Sequence, residues 1–269
     1  MKDMFSAKIA VIGAGVMGEA LISALISSGV RPTAITISEK REDRAAELRE
    51  KYGIRVAGLV ENVENGEVIL LVVKPQDMLE LLKEIKLHLQ PSTLLISFAA
   101  GKKIQFIAAQ VGSEIPIVRV MPNTPTLVGE GMAAISIGPN VSVEQQGFVR
   151  SFLSNTGRVT QVDEDLQDAV TAVSGSGPAY FFAFIEAMVE AGEELGLSHE
   201  VATELTVQTF IGAAKLLAKS GKSATVLREN VTSPNGTTAA ALQSFAASNL
   251  SEIVKRAMRA ARDRSQELA

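Results

Sequence analysis

Apolar residues in the N-terminal part of the chain come in short unbroken runs, separated by stretches with helical spacing. Lys8–Ile12, Ala34–Ser38, Val68–Val73, Thr93–Ser97, Ile117–Met121, Met132–Ser136 and Arg158–Gln161 read as strands. The segments between them (the one through Ser27, then Arg41–Lys51, Asp77–Leu89 and Ile104–Val111) read as helices. Unbroken runs suit parallel strands covered on both faces. Their alternation with helices and short loops predicts a doubly wound parallel sheet of Rossmann type. After about Asp163 the strand runs vanish and Ala, Glu and Leu dominate. Asp165–Val173, Pro178–Leu195, His199–Ser220, Ala239–Ala247 and the stretch from Leu250 read as helices, with Ser198 as an N-cap and Pro178 at a helix start. The fold class is therefore α/β: a Rossmann-type sheet domain over 1–162, followed by an all-α domain over 163–269. Ala179–Val189 carries a single charge, Glu186. A helix apolar all round is usually buried. Its own neighbours or a second chain could cover it, and pattern alone leaves both open.

Composition narrows the chemistry. The chain has 269 residues, no Cys and two His, so thiolate catalysis, disulfides and a His-rich metal centre drop out, and no metal is expected. A formal charge of −4 with no basic stripe argues against a nucleic-acid surface. The longest apolar runs fall far short of the ~20 residues a bilayer span takes, and no apolar signal core precedes the first strand, so no membrane partner and a cytoplasmic location are expected.

The first strand runs into Ile12-Gly13-Ala14-Gly15-Val16-Met17-Gly18 and then a helix. In this arrangement Gly13 permits a tight turn, Gly15 admits the pyrophosphate and Gly18 lets the helix pack on the strand. The helix N-terminus offers amides and a positive dipole end to phosphates. At the end of the second strand, where NAD sites place an acid for the ribose, the chain reads Ser38-Glu39-Lys40-Arg41. A hydroxyl and two cations suit a 2′-phosphate, so NADPH is the expected cofactor and NADH is admissible. Glu39 is the residue that argues the other way.

Ligands of such sheets bind beyond the carboxyl ends of the strands. Three loops there are unusual: Val73-Lys74-Pro75-Gln76, Ser97-Phe98-Ala99-Ala100-Gly101 and Met121-Pro122-Asn123-Thr124-Pro125. Their small residues and prolines make close walls for a flat ring. Lys74 and Asn123 can donate hydrogen bonds. In the helical part, Val173-Ser174-Gly175-Ser176-Gly177-Pro178-Ala179-Tyr180 breaks a helix with small residues, as if another body approached its backbone. Val231-Thr232-Ser233-Pro234-Asn235-Gly236-Thr237-Thr238 is a tight turn feeding a helix, and amides at Gly236, Thr237 and Thr238 would cradle a carboxylate.

Taken in order, I-G-A-G-V-M-G, V-K-P-Q, S-F-A-A-G, R-V-M-P-N-T-P, A-V-S-G-S-G-P-A-Y and V-T-S-P-N-G-T-T resemble the pyrroline-5-carboxylate reductases over nearly the whole chain. The resemblance implies reduction of a cyclic imine carboxylate to L-proline with NAD(P)H. It also implies a homodimer interlocked through the C-terminal helices, with a decamer as the further assembly of many members. By motif, Ser233, Asn235, Gly236, Thr237 and Thr238 would hold the substrate, and Thr238 would meet the ring nitrogen as proton donor. Asn123, Ser174 and Ser176 would close the pocket. Gly13–Gly18, Ser38, Lys40, Arg41, Lys74, Pro75, Ala99, Ala100 and Gly101 would line the cofactor. Asn235 stands where many members have glycine, and asparagine tolerates the left-handed backbone such a turn needs. Leu59 falls where many members place a ribose-binding Asn, and Asn62 is out of step. A β-hydroxyacid dehydrogenase would carry a catalytic lysine on the helix after Ser176-Gly177, and Tyr180–Leu195 has none. A non-catalytic dinucleotide sensor would have no need of the Ser233–Thr238 turn.

Overall fold

The computed structural model describes residues 4–268. The strands form one eight-stranded sheet: β1 (Ile9–Ile12), β2 (Ile35–Ser38), β3 (Arg55–Val56), β4 (Val68–Leu71), β5 (Leu94–Ser97), β6 (Ile117–Met121), β7 (Gly131–Ile137) and β8 (Gly157–Gln161). Their order is β3-β2-β1-β4-β5-β6-β7-β8, with β3 to β6 in parallel register. The sheet departs from an all-parallel one at β7, which runs antiparallel to β6, and β8 pairs parallel to β7. A short turn region, Thr124–Val128, joins β6 to β7, too short for the crossover a parallel neighbour requires.

Helices α1 (Val16–Ser27), α2 (Glu42–Tyr52), α3 (Leu59–Asn65), α4 (Met78–Ile85), α5 (Ile104–Val111) and α6 (Val143–Ser154) cover the sheet. The unbroken apolar runs are buried on both sides because alternate residues serve two cores. Val11, Ile35 and Leu70 face Leu21, Leu25, Leu48, Phe148 and Phe152. Ile12, Ile69, Leu71 and Leu95 face Val63, Leu82, Ile85 and Ile107. Four elements have no counterpart among the sequence expectations, three of them in this part of the chain and the fourth a short helix over Ala224–Asn230. β3 and α3 are short and polar, so hydrophobic periodicity does not mark them. α6 is announced instead by a capping box, in which Ser142 and Gln145 exchange side-chain and backbone hydrogen bonds.

Beyond β8, α7 (Gln167–Val170) runs into a π-helical turn, Thr171–Gly175, where the Ser176 N–H bonds the Thr171 carbonyl at 2.8 Å. This turn is the predicted break in the helix. Residues up to Ser176, together with those from Ala260, form one compact unit, and Gly177–Arg259 forms the other. The division expected after Val162 therefore differs from the compact one. Residues after 162 stay with the sheet because Gln167, fully buried, donates to the Ala134 carbonyl and Ser136 Oγ of β7.

The second unit holds α8 (Gly177–Glu194), α9 (His199–Ser220), α10 (Ala224–Asn230), α11 (Thr237–Ala247) and most of α12 (Leu250–Glu267). Ser198 and Ser223 accept hydrogen bonds from Val201 and Val226 as N-caps of α9 and α10. Phe181 packs on Phe210, and Phe184 on Phe245. Within α8 only Gly177 and Val189 are buried. Phe181, Phe182, Leu205 and Leu216 are each more than half exposed. The chain's own helices thus leave the apolar faces open. The helical run Glu164–Glu194 is, by length and composition, apolar enough to cross a membrane. Counting unbroken apolar runs misses it because sparse acids interrupt the run while leaving the average high.

Candidate active site

The carboxyl ends of β2, β1, β4, β5 and β6 lie side by side in the sheet, so the loops after them share one edge. At its centre is the glycine loop. Gly13 has φ +86°, and a Cβ there would stand 2.6 Å from the Val72 carbonyl oxygen; one on Gly18 would fall on the Gly13 carbonyl. A side chain on Gly13 would push the turn off the end of β4, and one on Gly18 would push α1 off the turn. Gly15 is the N-cap of α1 and brings no side-chain cap. The first-turn amides of Val16, Met17 and Gly18 therefore have no intrahelical acceptor, and Gly15 and Val16 are exposed. Open amides, a dipole end and room for close approach fit a dinucleotide pyrophosphate.

The β2–α2 segment grips this loop through one residue. Glu39 Oε2 accepts the Ala14 N–H at 2.8 Å, and Arg44 Nε donates to the Ala14 carbonyl at 3.2 Å. Glu39 Oε1 also accepts the Arg41 N–H at 3.1 Å. Arg44 pairs with Glu19 of α1 and with Glu47, and Glu19 further takes Lys51 and Tyr52. Chiefly the Lys51 hydrogen bond, with those of Arg44 and Tyr52, holds the Glu19 carboxyl at about 2 despite its desolvation. Ser38 is turned away from this site. Its hydroxyl donates to the Ala57 carbonyl at 3.1 Å and accepts from Asn62 Nδ2 at 3.0 Å. A serine has one donor hydrogen, so Ser38 has none left for a phosphate oxygen. Asn62 is buried, and it also donates to the Thr36 carbonyl; it ties α3 to β2. Lys40 and Arg41 are exposed, and Arg41 pairs with Asp43 at 3.1 Å.

Of the remaining loops, Lys74 is exposed at the entry to the turn Pro75–Asp77, Ala99 and Gly101 are buried, and Ala100 is half-buried. Asn123 is a brace rather than a free donor. Its Nδ2 lies 3.3 Å from both the carbonyl and the hydroxyl oxygen of Ser174, and its Oδ1 accepts the Met132 N–H at 2.8 Å. It thereby fastens the π turn to the start of β7. Such single-turn π segments concentrate at functional sites.

In the helical unit, Asn235 adopts φ +57°, the left-handed conformation expected for it. The Gly236 N–H closes the turn onto the Ser233 carbonyl at 3.0 Å, which removes it from the predicted cradle. Gly236 caps α11 without a side-chain cap. The amides open to an anion are therefore those of the first helical turn, Thr237, Thr238 and Ala239. The Thr232 hydroxyl is occupied by the Arg228 carbonyl at 2.6 Å. Arg44 carries no mark in the sequence, since it sits in a polar segment where nothing in the spacing sets one charge apart from its neighbours. Asn62, out of step for a ribose contact, instead braces Ser38.

Comparison with known proteins bears on this arrangement. A pyrroline-5-carboxylate reductase of Corynebacterium melassecola is 42% identical over 264 residues, covering 97% of this chain and 98% of the relative. The chain belongs to the pyrroline-5-carboxylate reductase family. Residues 164–268 match the family described as pyrroline-5-carboxylate reductase dimerisation, and residues 8–101 match NADP oxidoreductase coenzyme F420-dependent. A pyrroline-5-carboxylate reductase structure from Coxiella burnetii superposes with a TM-score of 0.90 at 35% identity, covering 98% of this chain and 99% of that one. The Plasmodium falciparum pyrroline carboxylate reductase, crystallised with NADP bound, gives 0.88 at 31% identity, with 97% and 98% covered. The chain is thus an NAD(P)H-dependent oxidoreductase of proline biosynthesis, acting on a cyclic imine, and its helical region is the family's means of oligomerisation.

Proposed function

We propose that the chain reduces 1-pyrroline-5-carboxylate through two helix N-termini, that of α1 for the cofactor and that of α11 for the substrate. The observation that carries the reading is the α11 terminus: a turn set by Asn235 at φ +57° and an N-cap, Gly236, without a side-chain cap. The amides of Thr237, Thr238 and Ala239 hold the substrate carboxylate, with Ser233 and Asn235 shaping the turn. The Thr238 hydroxyl donates a hydrogen bond to the ring nitrogen and hands on the proton it needs, resupplied from water. The bound dinucleotide supplies the hydride to the imine carbon, so C=N becomes CH–NH. Proximity and orientation carry much of the rate, which fits a site without a Cys or His dyad. Asn123, Ser174 and Ser176 set the π turn that lines the substrate side. Gly13–Gly18 receive the pyrophosphate. Lys74, Pro75 and Ala99–Gly101 wall the rest of the cofactor.

NADPH is the preferred reductant on this reading, through Lys40 and Arg41 in place of the Ser38 hydroxyl. Residues 1–162 serve the cofactor, and 163–269 serve substrate and assembly. A second copy covers the apolar helical faces, in the cytoplasm rather than in lipid, and dimers assemble to a decamer. The test is NADPH oxidation on addition of pyrroline-5-carboxylate with proline quantified, run also with NADH and beside a native mass. Proline formation tied to NADPH loss is expected. Cofactor oxidation without proline would overturn the reading.

A further inference from the structure

A buried charged cluster behind the loop after β5 takes no part in the chemistry above. Arg119 of β6 is 2% exposed. Its guanidinium lies 3.4 Å from Glu164 Oε1 and 3.8 Å from Asp168 Oδ1. Glu164 Oε1 also accepts the N–H of Ile104, the first residue of α5, at 2.6 Å. Asp168 Oδ1 accepts the hydroxyl of Ser265, in the last turns of α12, at 2.7 Å. Ser265 is 3% exposed. The same part of α12 lies directly on Gly101, which has φ +74°; a Cβ there would come within 2.8 Å of the Ser265 carbonyl oxygen and 2.9 Å of Leu268 Cβ. The segment from Gly101 to Ile104 is therefore held at both ends. The end of α12 presses on Gly101, Glu164 holds Ile104, and both attachments return to the one buried guanidinium.

We propose that the last turns of α12 and Leu268 just after them are a clamp that positions the loop Ser97–Gly101 for the dinucleotide, with Ser265 acting through Asp168 and Leu268 through Gly101. The inference rests on the reading that this loop walls the cofactor. The start of the loop is anchored without α12, since Phe98 and Ala99 are buried in the two cores and the Phe98 N–H bonds the Leu71 carbonyl at 3.0 Å; its far end, Ala100 and Gly101, has no side chain long enough to fix it. A buried carboxylate paired with arginine keeps its geometry only while its hydrogen bonds are made. Without the Ser265 hydroxyl, Asp168 loses the donor that ties it to α12, and Gly101 loses the lid above it. Ser265 and Leu268 are positioning residues, because neither would touch the cofactor.

The test is titration of the full-length protein with NADPH in the absence of imine, followed by nucleotide fluorescence, beside steady-state KM for the imine and thermal melting. Ser265→Ala is expected to weaken NADPH binding about tenfold and Leu268→Gly, which removes the Cβ over Gly101, about threefold, while the imine KM moves by less than roughly twofold. Ala100→Leu, which alters the loop itself, reads the underlying assumption and is expected to weaken NADPH as well. If Ala100→Leu leaves NADPH binding intact, the loop does not wall the cofactor and the clamp falls with it. If Ala100→Leu weakens binding while Ser265→Ala and Leu268→Gly do not, the loop reading stands and the clamp is overturned. Parallel loss of NADPH and imine affinity that tracks the melting temperature would mark a merely structural role and overturn the proposal.

Discussion

Two helix N-termini in this molecule offer open amides to anions, and they are built differently. Gly15 before α1 and Gly236 before α11 both cap without a side chain. The first is set in a finished frame: Ala14 is held by Glu39 and Arg44, and the glycines abut backbone of the neighbouring strand and turn. The second stands on a helix none of whose residues is buried, with Thr238 half-buried and Thr237 exposed. The first terminus, proposed for the cofactor, is thus preorganised by its own chain. The second, proposed for the substrate, has no such frame within its own helix. Preorganised amides act without reorganisation cost, so rigidity matters most where the larger ligand docks.

That contrast can be broken at several points. The largest expected effect is Thr238→Ala, which should lower kcat by about 100-fold or more while the NADPH dissociation constant stays put; stopped-flow turnover and fluorescence titration check the split. An unchanged kcat would remove Thr238 from the chemistry. Next, Gly18→Ala should force α1 off the turn and weaken both NADPH and NADH by at least about tenfold, as overpacking of 1–3 kcal/mol does, read by calorimetric titration. Phe182→Asp should leave the sheet unit folded and cost about 2 kcal/mol of association, seen as monomer in sedimentation velocity with loss of imine turnover before loss of NADPH binding. Glu39→Gln keeps an acceptor for the Ala14 N–H but removes its charge. It should shift selectivity toward NADPH by about fivefold, read from paired titrations with the two cofactors; equal shifts for both would limit Glu39 to holding the loop.

The smallest effect concerns acid. Glu19 is depressed from 4.5 to about 2 by Lys51, Arg44 and Tyr52. A carboxylate lowered in the folded state adds stability that is complete above its unfolded value and is lost as the pH falls from about 4.5 toward 2. Urea denaturation of Glu19→Gln across that window should show a flatter loss than the parent.

Much of this was legible from residues. The strands at Ile9–Ile12, Val68–Leu71 and Ile117–Met121 follow from unbroken apolar runs, and the glycine loop from its place between strand and helix. The left-handed Asn235 follows from the needs of the turn. The missing pieces were of two kinds. β3 and α3 are too short and polar to leave a periodic signal. The orientation of Ser38, Asn123 and the Gly236 amide depends on partners far along the chain or on the exact turn, which spacing does not encode.

The sequence by itself determined the cofactor class and the family, through motifs kept in order along the chain, and the two turns at Gly13–Gly18 and Ser233–Thr238, because these rest on local backbone requirements that only certain residues meet. Tertiary structure alone decided which donors are free. Ser38 is taken by Ala57 and Asn62, Asn123 by Ser174 and Met132, and Ala14 by Glu39 and Arg44. It alone joined Ser265 to Asp168, 97 positions away. A hydrogen bond is a matter of distance and direction in space, and a residue's type states only that it is capable of one.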